Sequence, residues 1–314
     1  MIKSFGKIMA IATSRVKGKG EIQINEDLCT GCAECVEVCK DFSLTIKDNK
    51  ASVSDNPLFG CIACGHCMAV CPADAIHVSG RMISRDDLFE LPHADEAASY
   101  EQLTNLFLRR RSIREFLDKP VEPGKIEKIL DAAMTSPMGI PPSDVNVLIL
   151  NSKEKNRLFI KDFCNYLNSI RWMVSGWFLT LMRPVWGKTN ADLFQSFVKP
   201  LFEIYISSMN KGINLVTYDA PLVMYFYGSP YCDPADPVVA ATTAMYAGQS
   251  LGLGTCMLGG IHPLIQYGSG ARKFREKYGI KYTSREGLFV IFGYPDADYK
   301  KGIRRSFAST TFLQ

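Results

Sequence analysis

Eight of the chain's 11 cysteines fall between Cys29 and Cys71, in two runs of the same spacing. Cys29-Thr-Gly-Cys32-Ala-Glu-Cys35-Val-Glu-Val-Cys39 reads C-x2-C-x2-C-x3-C. Cys61-Ile-Ala-Cys64-Gly-His-Cys67-Met-Ala-Val-Cys71-Pro72 repeats it, offset by 61 − 29 = 32 residues. Three thiolates at i, i+3 and i+6 suit one iron–sulfur cube and leave backbone amides free to bond the sulfurs; the fourth cysteine points to a neighbouring cluster. Crossed ligation then predicts one cluster on Cys29, Cys32, Cys35 and Cys71, and another on Cys61, Cys64, Cys67 and Cys39. Gly31 and Gly65 suit tight loops around a bulky inorganic core. A pair of zinc sites is the alternative, but zinc favours two C-x2-C knuckles set apart by a longer loop.

The repeat runs past the ligands. Val38 matches Val70, Leu44 matches Ile76 and Ile46 matches Val78, so each half reads as a cysteine loop, a helical turn and an apolar strand. This duplication is similar to a bacterial two-cluster ferredoxin, and we place that domain at residues 20–80. The first run ends Cys39-Lys40 where the second has Cys71-Pro72, a difference in the exit turn that removes no ligand. Residues 20–80 carry three Lys/Arg against nine Asp/Glu. That acidic balance either steers a basic redox protein partner or is simply a solvated face.

The 314 residues, 47% hydrophobic and 22% charged, exclude disorder and suggest about two domains. Clustered cysteines in a long chain argue against an extracellular disulfide scaffold. The apolar stretch Ile8–Ala12 is short for a signal-peptide core, and the run Trp172–Met182 is short for a membrane span. No membrane span and a cytoplasmic location are expected.

Residues 81–98 are polar and read as a connector, leaving 99–314 as a second domain. Ser99-Tyr-Glu-Gln102 is a capping box ahead of Leu103, Leu106 and Phe107 at helical spacing. A second amphipathic helix is predicted over Pro123–Met134, and strands over Val145–Leu150, Leu222–Tyr227 and Gly287–Phe292. The fold class is α+β: a two-cluster ferredoxin-like domain, then mixed helices around one sheet.

Three further segments carry chemistry. Arg109-Arg110-Arg111-Ser112-Ile113-Arg114 packs four guanidiniums into six residues, and planar guanidinium forks suit phosphate. A solvated basic face is the bland alternative. Gly252-Leu-Gly254-Thr-Cys-Met-Leu258-Gly259-Gly260 follows a small-residue helix, Ala240–Leu251, and lets backbone approach a flat ligand. It is not a dinucleotide fingerprint, because the helix precedes it. Gly293-Tyr-Pro295 closes the last strand, with Lys300, Lys301, Arg304 and Arg305 behind it.

In this order, and with Ser136-Pro137 after a helix and Asp219-Ala-Pro221 before a strand, the segments resemble the nitroreductase family of FMN-dependent oxidoreductases, over about Leu103 to Arg305. The whole chain resembles a ferredoxin–nitroreductase fusion. The resemblance implies that Arg110, Arg111, Ser112 and Arg114 hold the FMN phosphate, ribityl chain and ring edge, and that Arg304 and Arg305 complete the phosphate grip, with Lys301 a weaker candidate. In the Leu258-Gly259-Gly260 turn, the Gly259 amide is expected beside flavin N5, the catalytic position. Pro137, Met138 and Gly139 are implied flavin neighbours. A homodimer is implied, with the flavin at the subunit interface. The chain departs from the family's Pro-Ser-x-x-Asn-x-Gln-Pro-Trp: Pro141 and Ser143 stand where Asn and Gln contact flavin and ribityl. Redox tuning and substrate preference therefore do not carry over.

Trp172, Trp177 and Trp186, with Phe194, Phe197, Phe202 and Tyr205 following, read as dimer-interface packing. Covering a flat substrate and lying on a membrane surface are the alternatives. Cys164, Cys232 and Cys256 read as buried small apolar residues. His66 reads as an exposed loop residue, and His262 as a candidate proton donor near the glycine turn. Nucleic-acid binding is disfavoured, since the arginines suit a flavin phosphate and the cysteine domain is acidic.

Two functions remain. One is an enzyme passing electrons from clusters to FMN and on, in pairs, to a nitroarene, quinone or activated alkene. The other is an electron-transfer flavoprotein between NAD(P)H or flavin and a ferredoxin-type partner, with no organic substrate. The enzyme is favoured; NADH, NADPH and reduced ferredoxin all remain open as electron donors.

Overall fold

The structure is a computed structural model and describes residues 18–139 and 143–313. The readings placed on Ile8–Ala12 and on Pro141 lie outside the described residues.

The duplication is visible in the backbone. The first half gives helix α1 (Glu34–Val38) and strand β2 (Leu44–Lys47); the second gives α2 (His66–Ala69) and β4 (Ile76–Ser79). Both pairs of elements are offset by 32 residues, as 66 − 34 and 76 − 44 show. The cysteine loops repeat too. Gly31 and Ala33 have φ of 73° and 67°, and their counterparts Ala63 and Gly65 have 55° and 79°. Each loop thus makes two left-handed turns between its cysteines, one at glycine and one at alanine. At Gly31 the glycine is obligatory, because a Cβ would stand 2.2 Å from the Asn49 carbonyl oxygen. Strand β1 (Glu21–Ile24) pairs antiparallel with β4, and β2 pairs antiparallel with β3 (Lys50–Val53). Leu44, Ala51, Ile76 and Val78 pack with the cysteines in one small core.

Between Arg81 and Ala98 the chain makes two short 3-10 turns, Arg85–Asp87 and Ala94–Glu96. Helix α3 (Tyr100–Arg109) then begins at the expected capping box, Ser99 Oγ accepting from the Gln102 amide and Gln102 Oε1 from the Ser99 amide. Helix α4 (Pro123–Met134) has proline at its first position, where no amide bond is lost. It buries Ile129 and Ala133, four residues apart on one face.

A four-stranded antiparallel sheet is the centre of this domain. Its order is β5 (Val145–Leu150), β6 (Leu222–Gly228), β8 (Gly287–Gly293), β7 (Gly254–Leu258). Strand β6 is buried on both faces. Leu222, Met224 and Phe226 join α4 and α8 (Asp236–Ser250) in one core. Val223, Tyr225 and Tyr227 join α5 (Lys153–Ser169) and α9 (Ser269–Lys277) in the other. Helix α6 (Gly176–Leu193) follows, then a turn of π-helix, Phe194–Val198, and α7 (Lys199–Asn210), which adds Phe202 and Ile206 to the second core.

Part of the glycine-rich segment is a strand that the sequence reading does not predict. Gly254–Leu258 is an edge strand, and the open turn is confined to Gly259 and Gly260. Thr255 and Cys256 are buried, which pulls this stretch into the sheet. Gly254 permits it, since a Cβ there would meet Ile113 at 2.8 Å. Ser112 bridges to Thr255, and Phe116 bridges to Pro295. The arginine-rich segment is thereby stitched to the sheet edge and to the chain leaving β8. Among the described residues, no helix is long and apolar enough to cross a membrane.

Candidate functional site

The eight thiols fall into two groups that interact within each group. As a free thiol, Cys35 is pushed up in pKa first by burial and then by Cys71, Cys32 and Cys29. Cys67 is pushed up to about 12 by burial and then by Cys61, Cys64 and Cys39. Each group therefore holds three cysteines of one run and the last of the other. Among the described residues no three His, Cys, Asp or Glu side chains stand close enough to share a single metal ion.

Backbone amides point at the sulfurs. Ala51 N–H donates to Cys29 Sγ at 3.3 Å, Ala75 N–H to Cys71 Sγ at 3.3 Å, and Ala63 N–H to Cys61 Sγ at 3.4 Å. The Ala51 amide is the main reason the Cys29 thiol is lowered in pKa, with Lys50 adding to it. Lys50 Nζ also donates to the Cys29 carbonyl at 2.5 Å. Cys39, Cys61, Cys64 and Cys67 line a cavity of about 560 Å³ whose far wall is Pro137, Met138 and Gly139. His66 lies on the same cavity and is exposed, as expected.

The arginines converge from distant parts of the sequence. Arg109, Arg110 and Arg111, at the end of α3, face Arg304 and Arg305 across a cleft of about 940 Å³, with Tyr246 on its wall. A neighbouring cleft of about 420 Å³ shares Arg109, Arg111 and Gly302 and adds Lys300 and Lys301. So much positive charge on one concavity is unfavourable without an anion. Arg111 Nε is buried with no hydrogen-bond partner, while its Nη1 donates to the Arg110 carbonyl at 2.7 Å. Thr255 Oγ1, across the bridge from Ser112, is likewise buried and unpartnered. Unpaired buried donors are rare in finished sites, and the one on Arg111, which lines both clefts, fits a phosphate.

The remaining candidates lie elsewhere on the chain. Arg114 is exposed, its guanidinium 5.7 Å from the centre of the Tyr218 ring. Gly259 and Gly260 are exposed at the end of β7, with open space where a side chain would be. Leu258 is half-buried beside them. Ser143 is exposed, and its Oγ accepts from the Val145 amide at 3.0 Å. His262 is buried, Nδ1 lying 2.9 Å from Tyr225 Oη, and burial lowers its pKa. Cys164, Cys232 and Cys256 are all buried, as read.

One residue escaped the sequence reading. Asp236, at the start of α8, accepts the Gly139 amide at 2.9 Å, and Ser136 Oγ donates to Thr243 Oγ1 at 2.8 Å on the same helix. These two bonds pin the Ser136–Gly139 segment. Asp236 lies 97 residues from Gly139, and no local pattern announces such a contact.

Residues 108–294, more than half of the chain, match the model of the nitroreductase family, and residues 28–76 match that of a 4Fe-4S dicluster domain. The chain belongs to the nitroreductase family and carries a dicluster iron–sulfur domain ahead of the reductase domain. Among solved structures, a nitroreductase with bound FMN from Bacteroides fragilis NCTC 9343 is similar at a TM-score of 0.50 and 16% identity, covering 68% of this chain and 99% of that one. A nitroreductase with bound FMN from Desulfitobacterium hafniense DCB-2 is similar at 0.48 and 18%, covering 67% and 97%. No match was found among curated proteins.

Proposed function

We propose that this chain is an FMN-dependent oxidoreductase whose two [4Fe–4S] clusters relay electrons to the flavin for two-electron reduction of a small electrophilic substrate. The substrate class is a nitroarene, quinone or activated alkene. The observation that carries the reading is the cleft on which five arginines from two ends of the reductase domain meet around an unpartnered Arg111 Nε. The doubled C-x2-C-x2-C-x3-C spacing and the match to a 4Fe-4S dicluster domain support cubes over single zinc ions.

FMN, when bound, accepts electrons singly and releases them as a pair. Arg110, Arg111, Arg304 and Arg305 hold its phosphate through paired charge-assisted hydrogen bonds. Ser112 and Arg114 reach the ribityl chain and ring edge, and Pro137, Met138 and Gly139 border the ring. The Gly259 amide, between Leu258 and Gly260, donates a hydrogen bond where charge develops during transfer. The arginine cleft and the cavity walled by Pro137–Gly139 share no residue, and the glycine turn lines neither, which supports a homodimer with a site completed by the partner. A cytoplasmic location suits reduced thiols.

An anaerobic titration with NADH and NADPH, followed at flavin and cluster absorbance together, tests the relay. A panel of nitroarenes, quinones and enones then tests the substrate class. Rapid reduction of a separate ferredoxin, with no turnover of the panel, would replace the enzyme by an electron-transfer flavoprotein.

A further inference from the structure

The two thiol groups are not equivalent toward the reductase domain. Cys39, Cys61, Cys64 and Cys67 share their cavity with Pro137, Met138 and Gly139. No residue of Cys29, Cys32, Cys35 and Cys71 lines it, and Cys32 is exposed to solvent. The shared wall is held firmly: Gly139 donates to the buried Asp236, Ser136 to Thr243, and a Cβ at Gly139 would meet Asp233 at 3.1 Å. A pinned wall keeps a donor and an acceptor at one separation.

We propose that the cluster held by Cys39, Cys61, Cys64 and Cys67 is the electron port into the reductase domain, across the Pro137–Gly139 wall, with Asp236 as its positioning residue. The cluster held by Cys29, Cys32, Cys35 and Cys71 is the outer one, facing the electron donor. This rests on the relay reading above. Each transfer oxidises the inner cluster by one electron and reduces the flavin by one. Two transfers and two protons from solvent complete flavin reduction. The electrons come from a one-electron reductant.

The test uses anaerobic holoenzyme and reduced methyl viologen, small enough to reach either cluster, with stopped-flow flavin absorbance and low-temperature EPR of the clusters. A variant with both Cys32→Ser and Cys64→Ser gives the rate of direct flavin reduction. Cys64→Ser alone is expected to fall to that rate, while Cys32→Ser keeps fast cluster-to-flavin transfer. The reverse pattern, or equal loss in both, overturns the proposal. If wild type itself fails to pass electrons from reduced clusters to flavin, the relay reading falls instead. Should Cys64→Ser fail to retain flavin, the Asp236 pair decides. Asp236→Leu is expected to slow transfer from clusters to flavin while leaving both EPR signals and flavin reduction by cyanoborohydride unchanged. Asp236→Asn, which keeps an acceptor oxygen for Gly139, is expected to restore it. Equal transfer rates in wild type, Asp236→Leu and Asp236→Asn overturn the assignment.

Discussion

Arg111 and Gly302, from opposite ends of the reductase domain, touch: a Cβ at Gly302 would stand 2.5 Å from Arg111 Nη2. The contact holds the guanidinium at the seam of the two arginine-lined clefts. Hydrogen bonds to charged groups contribute roughly 1.5–3 kcal/mol, so Arg111→Ala is expected to weaken FMN binding about 10- to 150-fold. Arg111→Lys keeps the charge and loses the fork, and should fall between. Gly302→Val should displace the guanidinium and weaken binding by a smaller factor. FMN fluorescence quenching on the apoprotein measures all three. An unchanged Kd in Arg111→Ala removes that residue from the phosphate grip.

The clusters should differ in potential. Lys50 and two N–H···S bonds, from Ala51 and Ala75, lie on the group containing Cys29 and Cys71. The other group has one such bond, to Cys61, and Asp41 nearby, while Glu26 near Cys29 offsets part of the Lys50 charge. Donors and positive charge favour the more negative, reduced cluster. The outer cluster is therefore expected to be reduced first. Lys50→Gln should lower its potential by on the order of tens of millivolts, the scale of about 1 kcal/mol for one half-buried, solvent-screened charge at close range. The inner cluster should stay where it is. An EPR-monitored redox titration separates the two; a shift in both, or in neither, counts against the assignment.

Much of this arrangement was legible from spacing, because the chemistry acts locally in sequence. The cysteine runs, their 32-residue repeat, the Ser99 capping box and the Pro123–Met134 helix all depend on neighbours within a few positions. What was hidden depends on distant contacts. Strand β7 is not predicted from the sequence, because its glycines obscure a strand pattern, yet Gly254 is glycine to admit Ile113. Similarly, Gly293 admits Phe116: a Cβ there would meet the ring at 2.6 Å. The arginine segment and the Gly-Tyr-Pro turn, distinct motifs in sequence, are thus two sides of one contact. His262 reads as an available proton donor until Tyr225 and Gln266 are seen around it. Burial by elements far along the chain leaves no local trace.

The Asp-Ala-Pro turn before β6 is held by Arg157, whose Nε and Nη2 donate to the two Asp219 oxygens at 2.8 and 2.5 Å. Tyr218 and Asp219 both take left-handed backbone, at φ of 54° and 53°, a strain the fork helps to hold. Burial pushes the Asp219 carboxyl up in pKa, and Arg157 outweighs that and holds it below its usual value of 3.8. A depressed folded pKa gives stability that is full above the unfolded value and is lost as pH falls through the folded one. The side chains are 48% and 25% exposed, so solvent screening limits the pair to about 1 kcal/mol. Urea unfolding of wild type and Arg157→Leu should show that gap at pH 7, closing as Asp219 is protonated below its usual range. A gap independent of pH would assign the effect to packing of the arginine stem.

On α6, Trp177, Leu181 and Val185 are spaced four residues apart on one face, and they are 63%, 63% and 74% exposed in the single protomer. A stripe that apolar on an isolated chain calls for a cover, and a second copy of the same chain supplies it twice across a two-fold axis. Burying a leucine stabilises by roughly 1.5–3 kcal/mol per copy. Leu181→Glu removes that from both protomers and places two carboxylates in the seam. Light scattering on the eluting peak is expected to show a dimer for wild type and a folded monomer, with native circular dichroism, for the variant. If the flavin site needs both protomers, the monomer should also release FMN. A variant that stays dimeric and keeps its flavin would move the stripe off the interface and leave it as a cover over a flat substrate, and the same variant should then raise KM for nitroarenes while leaving cluster-to-flavin transfer unchanged.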